Sequence, residues 1–197
     1  MSHTLHREGS VESLKRDFVV LCMSAQGLNV EGSGPKFRRY FEIARNFHPV
    51  NIGENKNTGS LAVFDYDTIV EKTDDGCVCL AVFDDEKNLI GFLRALKEED
   101  LGLSVVVSGL MDQVKGCCAE AELRVHTVNL SLGVLGRTER LPGEKTREIT
   151  TTCGHGMITG DLVLDHVDRI RRGLETAAEA AREVCRLCIC GAFNPAR

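Results

Sequence analysis

Two short apolar runs that flank an amphipathic helix constrain the fold of this chain more than any other feature. The first run, Val78–Phe83, is followed by Asp84 and Asp85, which are good caps for a helix. The second run, residues 103–107, ends in three successive valines, as expected for a strand that is covered on both faces. Strand, helix and strand in this order are typical of an α/β layer.

The layer is predicted to continue after the second run. Ser108 is a candidate cap for a further helix, with Met111 and Val114 on its inward side. A third strand is predicted over 128–134, because four apolar residues alternate there with polar residues or glycine. These apolar residues are Val128, Leu130, Leu132 and Val134. The sequence therefore predicts an α/β core of strand, helix, strand, helix and strand over residues 61–136.

Helical segments are predicted on both sides of this core. In residues 1–60, the spacing of apolar residues predicts one helix over 10–27 and a second over 35–48, followed by a loop over 51–60. Residues 137–197 predict a helical hairpin. Its first helix begins at the cap Thr159 and stops at Gly173, and its second runs from about Leu174 to Leu187.

Composition excludes several classes of protein. The net charge of −5 argues against broad contact with nucleic acid or with an anionic membrane. No apolar run approaches the roughly 20 residues of a membrane helix, and the polar first ten residues do not resemble a signal peptide. Nine cysteines is a high and odd number, which does not suit a secreted disulfide framework. We therefore expect a cytoplasmic protein whose thiols are free for metal or redox chemistry.

Four cysteines are predicted to converge at one end of the hairpin. Cys153 precedes the first helix, while Cys185, Cys188 and Cys190 close the second. An antiparallel hairpin brings the start of one helix beside the end of the other. Gly154 and Gly156, which flank His155, then leave the backbone free to wrap around a bulky ligand.

Four thiolates are the usual ligands of a [4Fe–4S] cluster, and three thiols within six residues suit the several irons of such a cluster. Zinc is the main alternative, with four thiolates or with three and His155. A third alternative has no metal and includes a redox dithiol at Cys185 and Cys188. The predicted cofactor is the cluster, on Cys153, Cys185, Cys188 and Cys190.

His155, in a Gly-His-Gly loop beside Cys153, is the candidate catalytic residue. Its possible roles are a metal ligand, a donor to cluster sulfide, or an acid or base toward a bound substrate. A loop histidine in contact with backbone is an equally good interpretation. Residues 32–36, Gly-Ser-Gly-Pro-Lys, offer free amides for an anion site, although a simple capped loop is the stronger interpretation.

The remaining cysteines are weaker candidates. Cys77 and Cys79 are two residues apart on a predicted strand, so both side chains lie on the same face. They are predicted to belong to the core or to extend the metal site. Cys117 and Cys118 diverge by about 100° on a helix, so at least one is expected in the core. Cys22 is expected to be structural.

These features predict an iron–sulfur protein of redox or small-molecule chemistry in anaerobic-type metabolism, with enzymatic activity left open. Its partner is expected to be a small-molecule ligand or a redox partner protein. The alternative is a structural zinc protein or an electron-transfer module that docks on a larger partner. The sequence leaves the substrate and the oligomeric state undetermined.

Overall fold

The computed structural model describes residues 4–197 and has the α/β architecture that the sequence predicts. Five strands in this range form one antiparallel sheet with the order β3–β2–β4–β1–β5. The strands are β1 (Phe18–Met23), β2 (Asn51–Glu54), β3 (Gly59–Ser60), β4 (Val78–Phe83) and β5 (Ser104–Ser108).

Eight α-helices accompany the sheet within residues 4–197, and none of them is both long and apolar enough to cross a membrane. A 3-10 turn at Thr138–Arg140 precedes the sixth. The helices are α1 (Val11–Leu14), α2 (Gly34–Arg45), α3 (Tyr66–Lys72), α4 (Glu86–Glu99), α5 (Met111–Glu120), α6 (Glu144–Thr150), α7 (Gly160–Arg171) and α8 (Ala177–Cys185).

The sheet separates two apolar cores. Phe18, Val20 and Cys22 of β1 point into the first core, which contains the buried residues of α2, α4 and α5. Val19 and Leu21 point to the opposite face and into the second core, which also contains residues of α7, α8 and the C-terminal loop. Alternate side chains of a strand lie on opposite faces, so β1 and β4 serve both cores.

The predicted helix over 10–27 is wrong, since only Val11–Leu14 is helical there. Ser10 does cap this short helix, and its side chain accepts a hydrogen bond from the Ser13 N–H. The uninterrupted apolar run that follows is β1, which lies between β4 and β5 at the centre of the sheet. A strand buried on both faces is apolar at every position, and its residues therefore also satisfy helical spacing. The predicted loop over 51–60 is likewise replaced by the hairpin of β2 and β3.

The core over 61–136 is confirmed at β4, α4, β5 and α5 but lacks the third strand. Residues 128–134 have no regular structure, and their apolar side chains are exposed. β5 is consequently an edge strand with Val105 36% exposed, rather than a strand covered on both faces. Leu110, not Ser108, occupies the cap position of α5.

The C-terminal hairpin is present as predicted. The Thr159 side chain accepts a hydrogen bond from the Leu162 N–H at the start of α7, and Gly173 takes a positive φ of 70° after its end. The second helix, α8, begins three residues later than expected because Thr176 and Glu179 form a capping box.

Candidate metal centre

The four predicted ligand thiols lie together in the second core. Cys153 follows α6 in a tight turn, Cys185 is the last residue of α8, and Cys188 and Cys190 lie in the loop beyond it. Each of the four residues is no more than 2% exposed. Their neighbours include Val19 and Leu80 of the central strands, so the thiols pack against the sheet face opposite α2 and α4.

The loop that carries Cys190 is held by backbone contact with β2. Gly191 has a φ of 80°, and a Cβ built on it would lie 2.5 Å from the Cα of Gly53. A Cβ on Gly53 would lie 2.8 Å from the carbonyl oxygen of Cys190. Only a pair of glycines allows this approach, which fixes the height of the cysteine loop above the sheet.

The thiols are close enough to interact directly. The sulfurs of Cys188 and Cys190 are 3.9 Å apart, and the Cys190 sulfur lies 3.8 Å from Nδ1 of His155. Cys153 shares a hydrogen bond with Cys188, and Cys185 lies within electrostatic range of both. The hairpin and its flanking loops thus bring together all four cysteines and the predicted histidine.

The pKa values of the four thiols shift in different directions. The hydrogen bond to Cys188 and burial raise the pKa of Cys153. The hydrogen bond with Cys153 lowers the pKa of Cys188, but the contact with Cys190 and burial outweigh it, and the pKa of Cys188 is raised. The pKa of Cys190 is lowered, first by its contact with Cys188 and also by the Ala192 N–H and the charge of Arg7. The surroundings of Cys190 thus favour its thiolate, the form in which cysteine binds metals, more than those of its three neighbours do.

Asn51 of β2 is a site residue that the sequence reasoning missed. It is 1% exposed, and its Nδ2 lies 3.4 Å from the Cys185 sulfur and 2.9 Å from the carbonyl oxygen of Phe193. Burial raises the pKa of Cys185 to about 12, while the contact with Asn51 acts in the opposite direction. Asn51 came from a stretch rich in Asn, Gly and Lys, and only the register of β2 against β4 places it here.

Arg7 is a second missed residue. Its guanidinium donates to Asp17, to the carbonyl oxygen of Thr152 at 3.1 Å and to the carbonyl oxygen of Ala192. Thr152 precedes Cys153, and Ala192 lies two residues after Cys190. The side chains of Arg7 and Asp17 are 7% and 1% exposed, so one buried cation ties both cysteine-bearing loops to the start of β1.

A second buried arginine completes this network. Arg197 pairs with the other carboxylate oxygen of Asp17 at 2.8 Å and donates to the Ser13 hydroxyl. Asn194 also donates to Asp17 at 3.1 Å. Arg7 and Arg197, which lie near the two ends of the described chain, therefore both bind the carboxylate of Asp17.

Two pockets border the group. A pocket of about 320 Å³ is lined by Cys153, Gly154, Gly156 and His6, among others. A second pocket, of about 270 Å³, is lined by Cys185, Asn51, Arg182 and Arg186, among others. His155 is exposed beside the first. The four cysteines themselves stay buried beneath these pockets.

The other five cysteines lie in the first core and do not join this group. Cys77 and Cys79 share a strand face, as predicted, but that face is opposite to Cys153. The Cys77 thiol donates to the buried carboxylate of Glu54 at 3.2 Å. Cys117 and Cys118 are both buried in the first core. Cys22 of β1 lies directly opposite Cys79 of β4 in the register of the two strands.

The glycine loop over 32–36 is not an open anion site. The carboxylate of Asp75 accepts hydrogen bonds from the N–H groups of Gly32 and Gly34, at 2.8 and 2.6 Å. The amides that an anion would use are therefore occupied by a side chain of the same protein.

Within residues 4–197, no group of three or more His, Cys, Asp or Glu side chains is arranged around a single metal ion. The four thiols are neighbours, but they do not form a ready tetrahedron. Comparison of the chain with protein-family models, with curated proteins and with solved structures finds no match.

Proposed function

We propose that this chain is a metalloprotein that holds a [4Fe–4S]-type cluster on Cys153, Cys185, Cys188 and Cys190. The observation that carries the proposal is the convergence of these buried thiols from two loops separated by a whole helical hairpin. Single buried cysteines are common in cores, but four thiols that converge in one core, with a histidine nitrogen 3.8 Å from one of them, supply the donor types of a metal centre.

The number and spacing of the thiols support a cluster. Three cysteines within six residues, together with a fourth from another loop of the same core, can bind the different irons of one cluster. Within residues 4–197, no group of three or more His, Cys, Asp or Glu side chains is already arranged around a single ion. The pocket beside Cys153 offers additional room next to the sulfurs.

Redox or small-molecule chemistry of anaerobic-type metabolism is the role we propose for the cluster. The nine cysteines are all unpaired, which suits a reducing compartment, and we place the protein in the cytoplasm. In this proposal His155, whose Nδ1 lies 3.8 Å from the Cys190 sulfur, exchanges a proton with a ligand bound at the rim of the pocket beside Cys153. A redox partner protein that docks over the same rim is the alternative to a small molecule.

Structural zinc is the second candidate, and two distances favour it. Zinc–sulfur bonds of about 2.3 Å place two thiolates of a tetrahedral site roughly 3.8 Å apart. The separation of 3.9 Å between Cys188 and Cys190 is close to this value, as is the separation of 3.8 Å from Cys190 to His155. Cys153 would supply the fourth ligand.

Metal and sulfide analysis of protein purified without oxygen separates these candidates. Roughly four irons and four sulfides per chain, with broad visible absorbance, are expected for the cluster. Cys153→Ala and Cys190→Ala should each lower the iron content severalfold. Cys118→Ala, which removes a buried thiol from the opposite core, is the matched control and should retain the iron.

One zinc and no colour would replace the cluster with the second candidate. Absence of both metals, even after anaerobic reconstitution with iron and sulfide, would overturn both. If Cys153→Ala and Cys190→Ala both retain as much iron as the unchanged chain, the metal is bound by other residues.

A further inference from the structure

An exposed apolar segment follows α5. Leu130 and Leu132 are 69% and 91% exposed, and Val128 and Val134 are about half exposed. Isolated exposed leucines are ordinary on protein surfaces, but a contiguous apolar patch of several hundred Å² marks an interaction site. This segment has the period-two pattern of a strand, although no strand within residues 4–197 pairs with it.

Its backbone is also unpaired. Within the part of the chain that the structure describes, no backbone-to-backbone hydrogen bond involves residues 124–135. The local contacts are few: the Gly133 N–H donates to the Ser131 hydroxyl, and that hydroxyl lies 3.2 Å from Nδ1 of His6. Unpaired amides and carbonyls beside an alternating apolar pattern form a template for strand addition.

The sequence of the segment identifies the partner. Residues 128–134 read Val-Asn-Leu-Ser-Leu-Gly-Val, and their apolar pattern is symmetric about Ser131. In an antiparallel pair of two such segments centred on Ser131, Val128 faces Val134 and Leu130 faces Leu132. All eight apolar side chains then lie on one face, as a two-fold symmetric interface requires.

We infer that residues 128–134 pair with the same segment of a second copy of this chain and form an antiparallel two-stranded interface. The symmetric pattern makes self-pairing complementary at every apolar position, and a second copy of the chain always carries the matching segment. Gly133, at a φ of 88°, must move into the extended region, and glycine does so without a steric penalty. The inference is independent of the metal centre.

The size of the patch determines how tight this dimer is. Standard interfaces bury about 800 Å² and 20–30 residues on each partner, and this segment offers four apolar side chains of a single short strand. The strand-to-strand hydrogen bonds add to these contacts. A reversible dimer whose population rises with protein concentration is therefore expected, rather than an obligate one.

Sedimentation or light scattering of the full chain across a hundredfold concentration range tests the interface. The mass should rise with concentration toward twice the 21.6 kDa of one chain. Leu130→Asp should abolish this rise, whereas Leu28→Asp should not. Leu28 is 86% exposed in a loop outside the segment and is the matched control.

Disulfide cross-linking tests the register. Two copies of residue 131 face each other at a Cα separation of about 5 Å, which a disulfide spans. Ser131→Cys should form a covalent dimer under mild oxidation. Thr127→Cys and the unchanged chain should not, because residue 127 faces residue 135.

A monomer at all concentrations would overturn the inference. So would a dimer that persists in Leu130→Asp, or equal cross-linking of Ser131→Cys and Thr127→Cys. Loss of binding to a different protein in Leu130→Asp, without any self-association of the unchanged chain, would assign the segment to that partner instead.

Discussion

Removal of the Arg7 side chain tests whether one buried cation holds the cysteine loops together. Arg7→Ala deletes the contacts to Asp17 and to the carbonyl oxygens of Thr152 and Ala192. Two loops that bear Cys153 and Cys190 then lose their common anchor. We expect lower stability and easier access of reagents to both thiols.

The magnitude follows from the burial of the pair. Breaking a buried ion pair by removal of one partner costs about 3–5 kcal/mol. Asp17 keeps Arg197 and Asn194, so its charge stays partly compensated and the lower end applies. The expected loss is about 3 kcal/mol. With a urea m-value of about 2 kcal/mol/M, the unfolding midpoint falls by about 1.5 M.

Urea unfolding monitored by circular dichroism, together with alkylation of native protein and mass mapping of the modified thiols, measures both effects. Arg16→Ala is the control, because Arg16 also pairs with a carboxylate, at 3.1 Å, but its side chain is 63% exposed. Its loss should cost at most about 1 kcal/mol. Equal effects of the two substitutions, or a destabilised Arg7→Ala in which Cys153 and Cys190 stay as protected as before, would refute the reasoning.

Two further substitutions probe the two ends of the contacts made by β2, which packs against the cysteine loop through Gly53 and ends at the buried Glu54. Gly191→Ala places a Cβ 2.5 Å from the Cα of Gly53. It should lower stability by clearly more than Gly173→Ala, a position with a similar positive φ where a Cβ meets nothing within 4 Å. Thermal unfolding of both variants separates the cost of the clash from the backbone cost of about 1–2 kcal/mol. Burial opposes ionisation of Glu54, but hydrogen bonds from Thr58 and other donors outweigh it and lower the pKa of Glu54. Its ionised form therefore stabilises the fold above the unfolded-state pKa of about 4.3, and this contribution disappears as pH falls through the folded value. Glu54→Gln should cost about 1–3 kcal/mol at pH 7, and the difference from the unchanged chain should shrink in urea titrations below about pH 4.

Local patterns in the sequence were sufficient for the elements whose signals do not depend on distant partners. The capping residues Asp85 and Thr159 and the stop at Gly173 predicted α4 and α7 because caps act within one turn. The antiparallel hairpin also brings Cys153 near Cys185, and the sequence signals for its two helices and its short turn are local.

Partner-dependent elements could not be derived in the same way. The run that forms β1 fits a helix or a strand by spacing alone, and its position between β4 and β5 decides the outcome. Residues 128–134 carry a strand pattern, but within residues 4–197 they find no edge to pair with. A periodic pattern records which faces are apolar. It does not record whether the chain itself supplies the covering partner.

The same distinction explains why the candidate centre was only half predicted. Its sulfurs come from residue types with a recognisable spacing, whereas Arg7, Asn51 and Gly53 have no chemical signature and matter only through their distances. These three come from the N-terminal third of the chain, and they hold loops that close its C-terminal third. The packing of the four cysteines therefore depends on the sheet as well as on the hairpin. The metal that we propose there would add its binding free energy to the stability of the whole fold rather than to the hairpin alone.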